Sequence, residues 1–139
     1  MAPGVAVSAE EALEAAILAV LAEDVAVSGM LGDPLRVVGV GPAPAFPYLE
    51  MARHERVDAG SAGVDAGEHR IDLAVMCRDT GGVRVRAAIA AVRAALDGAE
   101  LAMTGWRCVL LVPVFTDAAR SGVHVWRGLL RLKAVVEAA

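Results

Sequence analysis

The sequence has little of several residue types on which specialised chemistry depends. Among its 139 residues are two cysteines, two tryptophans, two phenylalanines, one tyrosine, one lysine and no asparagine or glutamine. Two cysteines are too few for a disulfide framework or a zinc knuckle. The single lysine, Lys133, does not follow a glycine, which excludes a phosphate-binding loop of the GxxxxGK[ST] type. The scarcity of aromatic residues excludes a stacking platform for single-stranded nucleic acid.

Strong positive charge and long apolar runs are also missing. The 13 basic and 17 acidic residues give a formal net charge of −4, which argues against electrostatic binding to nucleic acid phosphates. The longest apolar run, residues 108–116, is about half as long as the roughly 18 residues that a membrane span needs. The first residues carry no basic segment typical of a secretion signal. We therefore expect no membrane partner, and synthesis in the cytoplasm.

Small and aliphatic residues are what the sequence has in quantity. Hydrophobic residues make up 57% of the chain, with 29 alanines and 21 valines. A chain of this length and composition can build one hydrophobic core without disulfides or a metal. We predict a single domain over residues 1–139, with residues 1–7 as a flexible N-terminus and with no cofactor.

Three segments have the pattern of helices. Ser8 and Glu11 have the spacing of a capping box, and apolar residues then recur every three or four positions up to about Ala22. Residues 24–31 can form a short second helix that ends at a Gly-Asp-Pro turn. A third, amphipathic helix ends near Gly98. Its apolar residues at helical spacing are Val85, Ile89, Val92 and Leu96.

Five segments have the pattern of strands, at residues 35–40, 48–53, 68–77, 106–115 and 123–137. The segment 106–115 is almost continuously apolar, which predicts a strand that is covered on both faces. Together with the helices, these segments predict an α+β domain with a mostly antiparallel sheet and helices packed on one side. The predicted order is α(α)βββαββ.

The stretch from His54 to Gly67 has no apolar periodicity and contains three glycines. We predict a long, exposed and mobile loop, and loops of this length inside a compact domain are usually functional or disordered. Its deletion over residues 60–66 is expected to leave the fold intact. The polar residues taken as candidates for contact with a partner are His54, Glu55, Arg56, Asp58, Ser61 and Asp65.

The last predicted strand carries a short basic stripe opposite its core face. The residues of this basic stripe are Arg127, Arg131 and Lys133. The stripe is either the solvated outer face of a sheet or a contact surface for an acidic partner or subunit. In the first helix, Leu18 lies among solvent-facing residues, as an isolated exposed leucine or as a subunit contact. Glu11 and Glu14 of the same helix are candidate acidic partners for the stripe.

No catalytic or metal-binding motif emerges from the sequence. His54, His69 and His124 are far apart and lack the spacing of metal ligands. Both cysteines lie in apolar runs typical of buried, unreactive thiols. Two functions remain open from the residues alone. A small-molecule-binding or regulatory domain would hold a ligand in a cleft near residues 54–67, and a small enzyme would bring His54, His69 and Asp72 together.

Several features occur in a fixed order over about residues 8–137. They are an Ala- and Leu-rich opening helix, a Pro-rich connector that ends in Phe46-Pro47-Tyr48, a polar Gly-containing loop leading into the strand segment 68–73, an amphipathic helix that ends in Ala95-Leu96-Asp97-Gly98, and the terminal strand segment 128–132. This arrangement resembles the tail terminator, or tail-completion, family of long-tailed bacteriophages and phage-like gene transfer agents.

The resemblance implies a structural protein that is not an enzyme and has no catalytic residues. It implies a homohexameric ring on the head-proximal end of the tail tube, which stops tube polymerisation and joins the tail to the head connector or stopper protein. DNA would only pass through the lumen, and the ring would become part of the particle at the head–tail junction. A ring needs two different complementary patches on each subunit. The basic stripe with Glu11 and Glu14 is one candidate pair, and residues 54–67 are the candidate for docking to the tube or connector.

Overall fold

The computed structural model describes residues 7–139, and within that range the chain forms three helices and four strands. The helices are α1 (Ala9–Glu23), α2 (Val25–Leu31) and α3 (Val83–Leu96), and the strands are β1 (Tyr48–Asp58), β2 (Ala66–Arg78), β3 (Trp106–Gly122) and β4 (Val125–Ala138). Residues 1–6, which make up most of the predicted flexible N-terminus, lie outside the described range. None of the helices within residues 7–139 is long and apolar enough to cross a bilayer.

The four strands form one antiparallel sheet in the order β1-β2-β4-β3. In the central pair, Ile71 lies opposite Leu132 and Leu73 lies opposite Leu130, and all four side chains are fully buried. Residues of all three helices join these side chains in one hydrophobic core on that face of the sheet. The predicted α+β class, with helices on one side of an antiparallel sheet, is confirmed.

The predicted strand at residues 35–40 is reduced to a single bridge between Val37 and Leu49. Two backbone hydrogen bonds of 2.8 Å, from Val38 to Leu49 and from Leu49 to Arg36, hold the segment beside β1. The connector that follows contains Pro42 and two more prolines, which have no N–H to donate, so the pairing does not continue as a strand. The order of the other elements agrees with the prediction.

Side-chain oxygens fix the beginnings of the helices. Ser8 Oγ accepts a hydrogen bond of 3.1 Å from the N–H of Glu11, as the capping-box spacing predicts. Asp24 caps α2 in the same way. At α3 the buried carboxylate of Asp79 accepts a hydrogen bond of 3.1 Å from the N–H of Val85. These caps satisfy backbone donors that have no partner within the helix itself.

The loop predicted from His54 to Gly67 is wrong in its bounds. Residues 54–58 belong to β1 and residues 66–67 to β2, so only residues 59–65 connect the two strands. The strand has no apolar alternation here because its outward side chains are charged, and Glu55 lies opposite Arg70 on β2. Pairs of opposite charge across two strands stabilise a sheet, but they leave no hydrophobic period in the sequence.

Candidate assembly surfaces

His54 was a candidate for docking to a partner, but its side chain is 9% exposed and lies between the sheet and α1. Its Nδ1 lies 2.7 Å from Glu14 Oε2, and its Nε2 lies 2.6 Å from Nδ1 of His69. His69 is fully buried, and its Nε2 has no hydrogen-bond partner within the described chain. Burial, together with the nearby His54, lowers the pKa of His69. Glu14 is therefore engaged inside its own subunit.

Arg56 ties β1 to the connection that follows it. Its guanidinium lies 2.7 Å from Asp65, 3.4 Å from Asp58 and 3.8 Å from Glu10 of α1. The hydrogen bond to Asp65 is the main cause that raises the pKa of Arg56. Three of the predicted docking residues, Arg56, Asp58 and Asp65, are thus joined within the hairpin, and Arg56 also links the hairpin to α1. Ser61, at the exposed tip of residues 59–65, has no such internal role among the described contacts.

The basic stripe on β4 is largely neutralised by β2. Arg131 Nε lies 2.8 Å from Asp72 Oδ1, and a second contact of 3.2 Å makes the pair bidentate. Lys133 Nζ lies 3.6 Å from Glu68. Arg127 makes no ion pair within residues 7–139. The alternation of β4 is as predicted, but two of the three charges already have partners, and a role for the stripe in subunit contact stays a prediction.

Of the candidate contact residues on α1, one packs against the core of its own subunit and one is exposed. Leu18 is half-buried and packs against the hydrophobic core, so its side chain is not an isolated exposed leucine. Glu11 is exposed to solvent. On the outer side of β1, Glu55 forms an ion pair of 2.9 Å with Arg53. A subunit contact through Leu18 or Glu11 stays a prediction.

β3 is an edge strand with an exposed apolar surface, contrary to the prediction that both of its faces are covered. Val109 is 59% exposed, Val114 is 53% exposed and Phe115 is 46% exposed. The register with β4 shifts at Val109 and at Val114, and neither residue has a partner on β4. The apolar pattern correctly predicted a strand. Within this chain, however, β3 has a neighbouring strand only on the β4 side, and several of its apolar side chains are exposed. We call the surface formed by Val109, Leu110, Val114 and Phe115 the β3 ridge.

A groove of about 480 Å³ lies on the opposite side of the subunit, between α2, α3 and the start of β1. Its walls are mostly apolar and include Met30, Phe46, Pro47 and Ala87. Arg78 and Arg84 lie at its rim, and the guanidinium of Arg78 stands 5.0 Å from the centre of the Phe46 ring. We call this feature the α2–α3 groove. No sequence pattern predicts this groove, because its residues come from three distant segments.

The structure brings together only part of the catalytic set considered from the sequence. His54 and His69 are in contact, but Asp72 lies on the other face of the sheet, where it binds Arg131. His124 lies in the turn between β3 and β4. Across residues 7–139 no three or more Cys, His, Asp or Glu side chains are grouped so as to hold a metal ion.

Comparison with known proteins assigns this fold. The model of the family described as "Tail completion protein gp17" matches residues 15–137. The chain belongs to this tail completion family. The family comprises structural proteins of phage tails, so the predicted resemblance is confirmed. A search of curated proteins gives no match.

One solved structure with a similar chain is described as "Virion of native gene transfer agent (GTA) particle". The two chains are 27% identical, and the alignment covers 95% of this tail completion protein and 99% of the virion chain, with a TM-score of 0.84. The structural similarity therefore covers nearly the whole of both chains.

Proposed function

We propose that this tail completion protein caps the head-proximal end of a phage-like tail tube as a six-membered ring. The ring ends polymerisation of the tube and joins the tail to the connector or stopper protein of the head. Its partners are five further copies of the chain, the tube protein and the connector, and DNA passes through its lumen without being bound. The protein acts as a structural part, with no catalytic step.

The observation that carries this proposal is the family match over residues 15–137, supported by the likeness to a chain of a gene transfer agent virion. A protein that completes a tail must contact both itself and other tail components. The β3 ridge supports this role, because exposed apolar patches of a monomer mark surfaces that another protein covers. Its location follows from the role: the protein is made in the cytoplasm and ends in the particle at the head–tail junction.

The experiment is electron microscopy of particles from producing cells that lack this chain, with tail length and head attachment as the measurements. We expect overlong tails, headless tails or both, and we expect purified protein added to the lysate to restore normal particles. A Gly122→Ala variant serves as the matched control for expression and handling, because a Cβ there meets nothing closer than 3.8 Å. Particles of normal length with heads attached in the deletion strain would overturn the proposal.

A further inference from the structure

The β3 ridge and the α2–α3 groove lie at opposite sides of the subunit. β3 forms one edge of the sheet, and β1 forms the other, with Phe46 and Pro47 of the groove directly before β1. A head-to-tail ring uses two different patches on each subunit, which face neighbours on opposite sides. The placement of the two surfaces is suited to such a ring.

The shapes and the polarity of the two surfaces agree. The ridge presents exposed apolar side chains along an edge strand, with the Phe115 ring beside the Arg131 guanidinium of β4. The groove is a depression of about 480 Å³ with mostly apolar walls. Met30 in the groove is 38% exposed. Methionine is a flexible side chain that adapts well to an apolar partner. A single subunit thus leaves both surfaces in contact with water.

The charges beside the two surfaces are complementary. Asp117 follows the ridge on β3, and Arg78 and Arg84 stand at the rim of the groove. None of these three side chains makes an ion pair with another described residue of its own chain. Opposite charges at the rim of an apolar contact select the correct partner and register.

The edge of β3 is poorly suited to pairing with another strand through its backbone. Bulges at Val109 and Val114 interrupt its register, and Pro113 has no N–H to donate. Bulges and prolines are devices that prevent continuous edge-to-edge pairing. The ridge is therefore suited to contact through side chains, which is what a groove accepts.

We infer that the β3 ridge of one copy of this chain docks into the α2–α3 groove of the next copy and forms the subunit interface of the ring. This inference rests on the proposed function and deepens it, since it names the two surfaces that close the ring. The partner is a second copy of the chain, and Asp117 faces Arg78 and Arg84 across the contact.

Disulfide cross-linking in purified particles tests the interface. In the double variant Met30→Cys with Val114→Cys, mild oxidation should link neighbouring copies into a ladder that ends at a covalent hexamer. Either single variant should give no ladder, which also controls for the native cysteines. The matched control pairs Met30→Cys with Val57→Cys, because Val57 is 55% exposed, close to the 53% of Val114, but lies on β1.

A charge exchange provides a second measurement that needs no oxidation. Asp117→Arg and Arg84→Asp should each reduce incorporation of the chain into particles at least several-fold. The two single variants produced together, or both changes in one chain, should restore incorporation, because each contact again joins opposite charges. Thermal unfolding of each variant separates loss of assembly from loss of the fold.

The outcomes distinguish this interface from the ring itself. If tails in the deletion strain are abnormal and incorporated protein forms no ladder in the Met30–Val114 double variant, the inference is wrong while the capping role stands. A ladder in the Met30–Val57 control with none in the test pair would place the contact on β1 and would also overturn it. Normal tails in the deletion strain would reject the capping role independently of any cross-link.

Discussion

His54 Nε2 and His69 Nδ1 lie 2.6 Å apart, while the other ring nitrogen of His54 lies 2.7 Å from Glu14. This row of contacts joins β2 to β1 and β1 to α1. Each hydrogen bond needs one proton, so two neutral rings satisfy both bonds when each carries its proton on Nδ1. The Nε2 of His69 then has no proton, which suits a buried nitrogen without a partner.

The first prediction is that the folded chain loses stability as the pH falls below about 6.5. Burial and His54 lower the pKa of His69 from its ordinary value of 6.5, Arg56 adds to the effect, and Glu10 opposes it. The unfolded chain then takes up a proton that the folded chain does not. The contribution of His69 to the free energy of unfolding is therefore complete above pH 6.5. It decreases as the pH is lowered from there, by at most about 1.4 kcal/mol per pH unit.

Urea unfolding followed by circular dichroism between pH 5 and pH 8 measures this effect. His69→Leu removes the titrating group and should flatten the slope below pH 6.5. His124→Asn serves as the control, because His124 is exposed and asparagine tolerates its positive φ of 58°. An unchanged slope in His69→Leu would assign the pH dependence to other groups.

The second prediction concerns Arg131, a candidate for subunit contact that forms an ion pair inside its own subunit. Its guanidinium binds Asp72, a carboxylate that is only 10% exposed. Arg131→Glu would place two carboxylates in contact, so we expect the melting temperature to fall by roughly 5 °C. Assembly would then decrease because the subunit is less stable, whether or not the basic stripe touches a neighbour.

The exchange Asp72→Arg with Arg131→Glu separates the two effects. It restores opposite charges across β2 and β4 and should recover part of the lost melting temperature, measured by differential scanning calorimetry. A double variant that regains stability but still fails to enter particles would support the stripe as a subunit contact. A melting temperature unchanged in Arg131→Glu would contradict the structural role of the pair.

The elements that the sequence predicted well are those whose burial comes from their own chain. The period of Val85, Ile89, Val92 and Leu96 identified α3, and all four residues are buried. Period alone could not identify the second half of β1, where charged pairs and His54 replace aliphatic residues. It also could not show that part of the apolar run of β3 stays exposed within this chain, which is why that run was predicted to be buried. The α2–α3 groove could not be predicted because residues distant in sequence form it.

The third prediction is that Gly128→Ala destabilises the fold by about 1–3 kcal/mol through overpacking. A Cβ at Gly128 would overlap Ile89 Cγ1 and would lie 2.9 Å from Val85 Cγ2, so α3 would have to move away from β4. Gly122→Ala, on the neighbouring strand, should change the free energy of unfolding much less. Equal effects of the two substitutions in urea unfolding would show that α3 does not approach β4 so closely.

The fourth prediction is that residues 59–65 are the part of the predicted loop that docks to the tube or connector. The connection is exposed, and the hydrogen bond of 2.9 Å from the N–H of Ala59 to the carbonyl oxygen of Ala66 closes the hairpin beneath it. Replacement of residues 60–65 by Asn-Gly, which favours a two-residue hairpin turn, should therefore preserve the fold. Tails should become overlong or fail to join heads, as electron microscopy would show.

One further variant is needed, because the replacement also removes the ion pair between Asp65 and Arg56. Asp65→Ala removes that pair without shortening the connection, so we expect a small loss of stability and normal tails. If Asp65→Ala alone reproduces the tail defect, the defect arises from a weakened hairpin. If the shortened variant is folded and its tails are normal, docking takes place elsewhere, and the exposed residues of α1 become the surface to test.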